Sequence, residues 1–154
     1  MTVKALLTRE VTRQDFARWR VLWDGYNAFY GRVADNAVPG YITELTWQRF
    51  LDPEMPVHAL VAEQAGELVR IAHYLFHLST TSLAPACYLR DLYTSGRTRG
   101  QGVATALIEA VGVNAKTAGS PSIYWQTHET NDVARGLYDK VAVRSGFIVY
   151  QKQV

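Results

Sequence analysis

The sequence has very little cysteine and no marked excess of charge of either sign. Its 154 residues include a single cysteine, Cys87, which excludes an internal disulfide and favours a reducing compartment. Sixteen basic residues stand against 14 acidic ones, and a formal net charge of +2 does not favour nucleic acid as a partner. We therefore expect a cytoplasmic protein that does not bind nucleic acid.

The sequence also lacks a long apolar run. Its first apolar stretch is interrupted by Arg9 and Glu10, so we expect neither a signal peptide nor a membrane span. No repeat, low-complexity tract or long linker divides the chain. With hydrophobic residues at 48% of the composition, residues 1–154 are predicted to form one globular domain.

Aromatic residues at alternating spacings of three and four predict a first helix with one aromatic face. These residues are Phe16, Trp19, Trp23, Tyr26 and Tyr30. Thr12 and Asp15 fit a capping box before this helix, and Gly31 fits its end. A second, short helix is expected from about Thr43 to just before Asp52.

Strand and helix patterns alternate along the rest of the chain. Strands are predicted at residues 3–7, 57–63, 68–78, 87–94, 123–127 and 147–152, and further helices from about 102 to 118 and from Asn131 to Gly146. A short turn joins residues 57–63 to residues 68–78, which predicts a hairpin. Interleaved strands and helices favour an α+β fold of three layers, a mixed sheet with helices on its faces.

The most informative segment is a loop rich in glycine and arginine. It reads Thr94-Ser95-Gly96-Arg97-Thr98-Arg99-Gly100-Gln101-Gly102-Val103-Ala104-Thr105. Closely spaced glycines let backbone N–H groups approach an anion, and the start of the following helix adds free N–H groups and the positive end of its dipole. Arg99 adds a forked cation. The loop therefore predicts a phosphate or pyrophosphate site.

Two familiar nucleotide loops are excluded. A Walker loop ends in Gly-Lys-Ser/Thr, which this sequence does not contain. A dinucleotide turn needs Gly or Ala where Thr105 stands, directly after its strand, and an acid about twenty residues later. The pattern that remains is Arg/Gln-x-x-Gly-x-Gly/Ala, filled by Arg99, Gly102 and Ala104.

This pattern resembles the GNAT superfamily of acyl-CoA-dependent N-acetyltransferases. Residues 88–94 look like the family's central strand, which ends five residues before Arg99 as it does in the family. Downstream, Asn131-x-x-Ala134-x-x-Leu137-Tyr138 resembles the second family motif, and Gly146-Phe147 resembles its closing glycine–aromatic pair. The resemblance covers the C-terminal half of the chain. It implies a mostly antiparallel sheet flanked by helices, and acetyl-CoA as the co-substrate.

The resemblance also implies roles for the matching residues. The backbone of the loop and helix start would hold the CoA pyrophosphate through Arg99, Gly100, Gln101, Gly102, Val103 and Ala104, together with Thr105. Leu92 and Thr94 would bind the pantetheine arm through their backbone, and Asn131 would contact the cofactor. Tyr138 would donate a proton to the departing CoA thiolate. A phenol of pKa about 10 suits that role towards a thiolate of pKa roughly 8.5.

The acceptor must also lose a proton before it can attack. Asp91 is the first candidate for the base, directly or through water, although Arg90 stands where related polyamine-type enzymes carry a glutamate. His128 and Glu129 are weaker alternatives. The expected reaction is direct attack of a neutral amine on the thioester. A backbone N–H at a bulge in the central strand would hold the oxyanion.

The edge of the aromatic face offers an acceptor pocket, because aromatic rings and an acid suit a cationic amine. Its candidate residues are Trp23, Asp24, Tyr26 and Tyr30. The acceptor would be a small amine, an amino acid or a peptide amino group. A CoA-binding sensor without catalysis, and an acyltransferase that uses a longer acyl-CoA, remain alternatives.

No metal site is expected. His73 and His77 share a strand face, but no third ligand is placed near them. The resemblance to the family implies a homodimer.

Overall fold

A computed structural model describes residues 5–96 and 102–154, and these form a five-stranded sheet of order β1-β2-β3-β4-β5. The strands are β1 (Leu6–Glu10), β2 (Val57–Gln64), β3 (Glu67–His77), β4 (Ala86–Thr94) and β5 (Ile123–Tyr124). Strands β1 to β4 pair antiparallel, whereas β5 runs parallel to β4. The predicted mixed, mostly antiparallel sheet is confirmed.

Helices cover both faces of this sheet. They are α1 (Phe16–Phe29), α2 (Gly40–Leu51), α3 (Val103–Thr117) and α4 (Asp132–Val141). On one face, α1 and α2 bury Trp19 and Trp47 against Ile71 of β3. On the other face, Leu107 and Val111 of α3 pack over the sheet. We call these the α1 face and the α3 face.

The aromatic stripe of α1 forms the core of the α1 face, as its spacing predicts. Trp19 is fully buried, and Trp23 and Tyr26 are nearly so. The rings stack in sequence, with centroids 5.6 Å apart for Trp19 and Trp23 and 5.5 Å apart for Trp23 and Tyr26. Since aromatic side chains bury large areas, this stripe fixes how α1 lies across the sheet.

The start of α1 is held by a buried carboxylate. Asp15 accepts hydrogen bonds of 2.7 and 2.9 Å from Arg9 of β1, and one of 2.7 Å from Arg18. It also accepts the Thr12 backbone N–H at 2.7 Å, which confirms the predicted capping box. The hydrogen bonds from Arg9 hold the pKa of Asp15 well below its usual range. This cluster ties the sheet edge to the helix that carries the aromatic stripe.

A bulge in β4 changes which way its side chains point. His73 pairs with Asp91 and Tyr74 pairs with Leu89, so Arg90 has no partner on β3. In a regular strand Leu89 and Asp91 would share a face. The extra residue instead leaves Leu89 in the core under α3 and turns Asp91 towards the α1 face.

Several element boundaries differ from the expectation. The first strand is Leu6–Glu10 rather than residues 3–7, and residues 1–4 lie outside the described part of the chain. Helix α2 begins at Gly40 rather than near Thr43, and α4 ends at Val141 rather than at Gly146. Strand β5 has only two residues.

The predicted final strand at residues 147–152 is wrong for this structure. Four apolar side chains in that segment are 67–91% exposed, namely Phe147, Ile148, Val149 and Tyr150. The strand pattern is present, but no described strand lies alongside to accept its backbone hydrogen bonds. Among the described residues, no helix is long and apolar enough to cross a membrane.

We predict that Asp15→Asn lowers the free energy of unfolding by about 2 kcal/mol at neutral pH, because charge-assisted hydrogen bonds are lost from a buried site. Since folding depresses the pKa of Asp15, its stabilisation is present above the unfolded pKa near 4 and is lost as the pH falls through the folded value. The difference between wild type and variant should therefore shrink in acid.

Urea unfolding at neutral and acidic pH measures this effect. Asp24→Asn is the matched control, because Asp24 is 62% exposed and pairs only with Arg20 among the described residues, four positions away. Loss of that surface pair should change stability by about 0.5 kcal/mol or less. Equal losses in the two variants would contradict the role given to Asp15.

Candidate active site

Asp91 lies near the end of β4 with both carboxylate oxygens engaged. Oδ1 accepts a hydrogen bond of 2.6 Å from the Tyr26 hydroxyl of α1, and Oδ2 lies 3.0 Å from Nδ1 of His73 on β3. The side chain is only 12% exposed, so a small part of it remains accessible. A carboxylate has about four lone-pair positions, and these two contacts leave room for a ligand N–H.

The orientation of His73 is fixed from behind by Trp19. The indole Nε1 of Trp19 donates a 2.9 Å hydrogen bond to Nε2 of His73, which is itself buried. An indole N–H can only donate, so Nε2 must carry a lone pair and the ring proton must sit on Nδ1. His73 therefore donates that proton towards Asp91. The ring is also packed against Phe50, with centroids 4.6 Å apart.

These contacts keep Asp91 ionised. Burial by itself raises the pKa of Asp91, but the hydrogen bond from His73 and that from Tyr26 outweigh it, and the net pKa is lowered. Burial and the neighbouring carboxylate raise the pKa of Tyr26, so its phenol stays a donor. The site therefore presents a fixed negative charge at neutral pH.

Aromatic rings and one cation form the wall beside this carboxylate. The rings of Tyr26 and Tyr30 have centroids 5.0 Å apart, and the guanidinium of Arg32 lies 5.3 and 5.1 Å from these two rings. Tyr93 meets Tyr26 edge to face. An alanine Cβ at Gly25 would lie 2.7 Å from the Tyr93 hydroxyl, so the missing side chain allows this close packing.

The other two residues expected in the acceptor pocket lie elsewhere. Trp23 is buried inside the aromatic stripe, and its Nε1 donates to the Thr43 hydroxyl at 3.1 Å. Asp24 is largely exposed and binds Arg20 on the same helix. The structure thus brings Tyr26 and Tyr30 to Asp91, but it does not bring Asp24 into that cluster.

The start of α3 has the geometry of an anion site. Gly102 is its N-cap residue with φ of +71°, a conformation that favours glycine. Because glycine has no capping side chain, the first N–H groups of α3, from Val103 to Thr105, receive no side-chain cap from Gly102 and can meet a ligand. A Cβ at Gly102 would meet nothing within 4 Å. The other predicted loop residues, Arg99, Gly100 and Gln101, lie outside the described part of the chain.

Leu92 and Thr94 lead along β4 towards this helix start. Leu92 packs against the core under α3, and Thr94 is the last residue of the strand and is buried. Strand β5 pairs only with Cys87 and Tyr88, so Leu92 and Thr94 have no described strand on that side of β4.

Tyr138 enters from α4 on the α3 face. Its ring meets Trp125 edge to face at 5.4 Å and packs against the core under α3. Burial raises the pKa of this phenol, an effect that the Arg70 cation partly opposes. Tyr30 interacts electrostatically with both Tyr138 and Tyr26, which places the phenol and the carboxylate cluster at the same end of the sheet.

Asn131 caps α4 as predicted. Its Oδ1 accepts the Ala134 backbone N–H at 3.4 Å. The weaker base candidates lie in the loop before this helix, where Nδ1 of His128 contacts the Thr130 hydroxyl and the backbone carbonyl of Glu129 accepts from Arg135. Neither His128 nor Glu129 forms a hydrogen bond or an ion pair with Asp91.

Two neighbours of the candidate site residues were not predicted from the sequence. His73 was expected only to share a strand face with His77, yet it is the partner of Asp91, while His77 contacts the Tyr124 hydroxyl instead. Arg70, whose charge acts on Tyr138, matches no motif in the sequence. Within residues 5–96 and 102–154, no three His, Cys, Asp or Glu side chains are grouped as metal ligands.

The sequence profile described as the Acetyltransferase (GNAT) family matches residues 17–142. The chain belongs to this family. It is 32% identical over 149 residues to the D-amino-acid N-acetyltransferase HPA3 of Saccharomyces cerevisiae, an alignment that covers 96% of this chain and 90% of the relative. Family and relative together identify the chain as an acetyltransferase that uses acetyl-CoA and an amine acceptor.

Solved structures agree on the fold. The aminoglycoside N-acetyltransferase AAC(6')-Iy in complex with CoA superposes with a TM-score of 0.83 at 14% identity, covering 99% of this chain and 97% of that one. The ribosomal-protein-alanine N-acetyltransferase from Brucella melitensis biovar Abortus 2308 superposes with a TM-score of 0.77 at 19% identity, covering 97% and 100%. At such identities the likeness concerns the fold of this GNAT enzyme, not its acceptor.

We predict that His73 carries its proton on Nδ1 and a lone pair on Nε2, as the Trp19 indole requires. Long-range nitrogen–proton NMR distinguishes the two ring nitrogens directly. In Trp19→Phe, Nε2 loses its donor and the two tautomers should become mixed. A wild-type spectrum with the proton on Nε2 would contradict the assigned hydrogen-bond direction.

Proposed function

We propose that this enzyme acetylates the primary amino group of a small acceptor, which binds with its ammonium group at the Asp91 carboxylate. The observation that carries this proposal is the carboxylate itself, which is nearly buried, ionised and bordered by the rings of Tyr26 and Tyr30. Anionic and aromatic groups together favour a cationic amine. Small amines, amino acids and exposed peptide amino groups all meet that requirement.

An amino acid is the first acceptor to test. Support comes from the yeast relative, which is named as a D-amino-acid N-acetyltransferase and matches nearly the whole chain. The nearby Arg32 adds a cation that suits an acceptor carrying a carboxylate. Both enantiomers should be tested, since a pocket with a fixed carboxylate and a fixed aromatic wall distinguishes the two configurations at the α-carbon.

In the proposed reaction, Asp91 first holds the acceptor as an ammonium ion and then takes its proton, directly or through water. The low pKa of Asp91 makes it a better counter-ion than base, which favours onward transfer of the proton to water. The amine nitrogen attacks the thioester carbonyl, so a C–N bond forms and the C–S bond breaks. The bulge leaves Arg90 without a partner on β3, and a backbone N–H at this bulge is proposed to hold the oxyanion.

Tyr138 is proposed to supply the proton that the departing thiolate needs. Its phenol is protonated at neutral pH, because burial raises its pKa. Leu92, Thr94 and the free N–H groups at the start of α3 are proposed to hold the pantetheine arm and the pyrophosphate. Asn131 is proposed to contact the same arm from the start of α4.

We predict that Tyr138→Phe lowers kcat by about 100-fold or more, the usual contribution of a positioned general acid. The dissociation constant of acetyl-CoA should change little, because the ring remains in place. Thiol release from acetyl-CoA with a panel of D- and L-amino acids and simple amines measures kcat, and calorimetry measures the dissociation constant of acetyl-CoA.

Tyr30→Phe is the matched control, as it removes a neighbouring phenol that is not proposed to donate to the thiolate. Robust turnover by Tyr138→Phe would assign the acid role to another group. A wild-type protein that binds acetyl-CoA but releases no thiol with any amine would contradict the proposed acceptor class.

We also propose that the protein is a homodimer in which each copy covers the apolar C-terminal segment of the other. Support comes from residues 147–150, which are mostly exposed although apolar, and from β5, which among the described strands has a neighbour on one edge only. An apolar segment that pairs with no described strand, in a fold where β5 has a free edge, favours exchange between copies.

We predict that deletion of residues 146–154 converts a dimer into a monomer, which light scattering measures. Deletion of residues 151–154 is the control, because it keeps all four apolar side chains. A monomeric wild type, or a dimer that survives the longer deletion, would contradict this proposal.

A cytoplasmic location and a single catalytic domain over residues 1–154 are proposed as well. The first is supported by the buried free thiol of Cys87, whose pKa burial raises to about 11. Cell fractionation tests the location, and limited proteolysis tests whether the chain resists cleavage as one unit.

A further inference from the structure

Arg70 on β3 is a buried cation whose Nε has no hydrogen-bond partner. Only 8% of the residue is exposed, and its Nε is the single buried side-chain nitrogen or oxygen in the described part of the chain that has no partner. Arg9 provides the contrast, since its guanidinium contacts the carboxylates of Asp15 and Glu63. A buried charge that lacks a partner is costly, so such an arrangement indicates that a group outside the chain completes it.

The fold places Arg70 on the α3 face through a second bulge. Glu63 pairs with Leu68 and Ala62 pairs with Arg70, so Val69 has no partner on β2. Arg70 lies between Ala62 and Thr94, its neighbours on β2 and β4. Because Ala62 belongs to the core under α3 and Ile71 to the core under α1, the guanidinium points to the side on which α3 packs.

No described carboxylate balances this charge. Burial lowers the pKa of Arg70 to about 10, and the group that opposes the shift is the phenol of Tyr138. A neutral phenol does not neutralise a guanidinium. The charge therefore faces the same region as the proposed general acid and has no fixed counter-ion there among the described residues.

The start of α3, in the same region, is a second feature that can bind an anion. Thr94, the cross-strand neighbour of Arg70, ends β4, and Val103, in the core cluster that also contains Val69, begins α3. The free N–H groups at that helix start carry the positive end of the helix dipole. The guanidinium of Arg70 and the start of α3 thus both lie at the end of the sheet where β4 ends.

We propose that Arg70 is an anion-binding residue of this site, whose guanidinium binds a phosphate or carboxylate oxygen of a ligand. The proposal rests on the proposed function for the identity of the ligands. Two sources supply such an oxygen, the phosphates of acetyl-CoA and the carboxylate of an amino-acid acceptor. The α3 face favours the cofactor, since Asp91 and the acceptor wall lie on the α1 face.

Binding measurements on Arg70→Met separate the two sources. If Arg70 binds a cofactor phosphate, the dissociation constant of CoA rises roughly 30-fold or more in calorimetry, as for other desolvated charge pairs, while that of pantetheine does not change. If Arg70 binds the acceptor carboxylate, CoA binding is unchanged. The KM of an amino acid then rises, while that of its decarboxylated amine does not.

Thermal unfolding without ligand distinguishes binding from a structural role. A buried charge without a counter-ion does not stabilise the free protein, so Arg70→Met should unfold at the same temperature as wild type or a higher one. The increase in Tm on adding saturating CoA should be smaller in this variant if the cofactor is the source. Arg70→Lys keeps the charge but loses the forked guanidinium, so its affinity for the ligand should lie between those of wild type and Arg70→Met. Arg49→Met, at an exposed position of α2, is the control for loss of charge alone.

Unchanged binding of both CoA and amino acids in Arg70→Met would overturn the inference. So would a large loss of stability in the free variant combined with normal ligand affinity, because that result would make Arg70 a structural residue. Neither result touches the proposed function, which fails separately if wild type binds CoA but acetylates no amine. A wild-type protein that binds none of these ligands would contradict both.

Discussion

A single extra residue in the central strand decides on which side of the sheet the functional groups lie. Because Arg90 has no partner on β3, the side chains of Leu89 and Asp91 point to opposite faces. Asp91 can then reach His73 and Tyr26 under α1, while Leu92 stays in the core under α3. Without that bulge the carboxylate would be buried among apolar side chains of the other core. The acceptor side and the cofactor side of the proposed site both depend on this change of register.

Burial and hydrogen bonding then give the two ionisable groups different properties. Asp91 keeps its charge because donors from His73 and Tyr26 outweigh the cost of burial. Tyr138 keeps its proton because burial dominates, although the Arg70 cation opposes it. A carboxylate that binds an ammonium ion and a phenol that supplies a proton are the two groups that direct transfer from a thioester needs. The fold places them on opposite faces of the same end of the sheet, with Tyr30 interacting with both sides.

Local sequence signals predicted the elements well where a helix or strand finds its partner within the chain. The aromatic spacing of α1, the capping box at Asp15 and the start of α3 at Gly102 were all predicted, because each depends on nearby residues. The contact of His73 with Asp91 and the burial of Arg70 were not predicted, since each depends on a bulge that sets the strand register. The final strand was predicted from an apolar pattern typical of strands, but residues 147–150 pair with no described strand in this structure. A sequence pattern shows that a segment can form a strand, and not where its partner lies.

The most direct test of this account is a crystal structure with a bisubstrate analogue that joins the sulfur of CoA to the nitrogen of an amino acid. We expect that nitrogen within about 3.2 Å of the Asp91 carboxylate, or one water away from it, and the sulfur beside the Tyr138 hydroxyl. The phosphates should then extend to the start of α3. An acceptor nitrogen remote from Asp91, with the sulfur out of reach of Tyr138, would contradict the proposed site even if the enzyme acetylates amines.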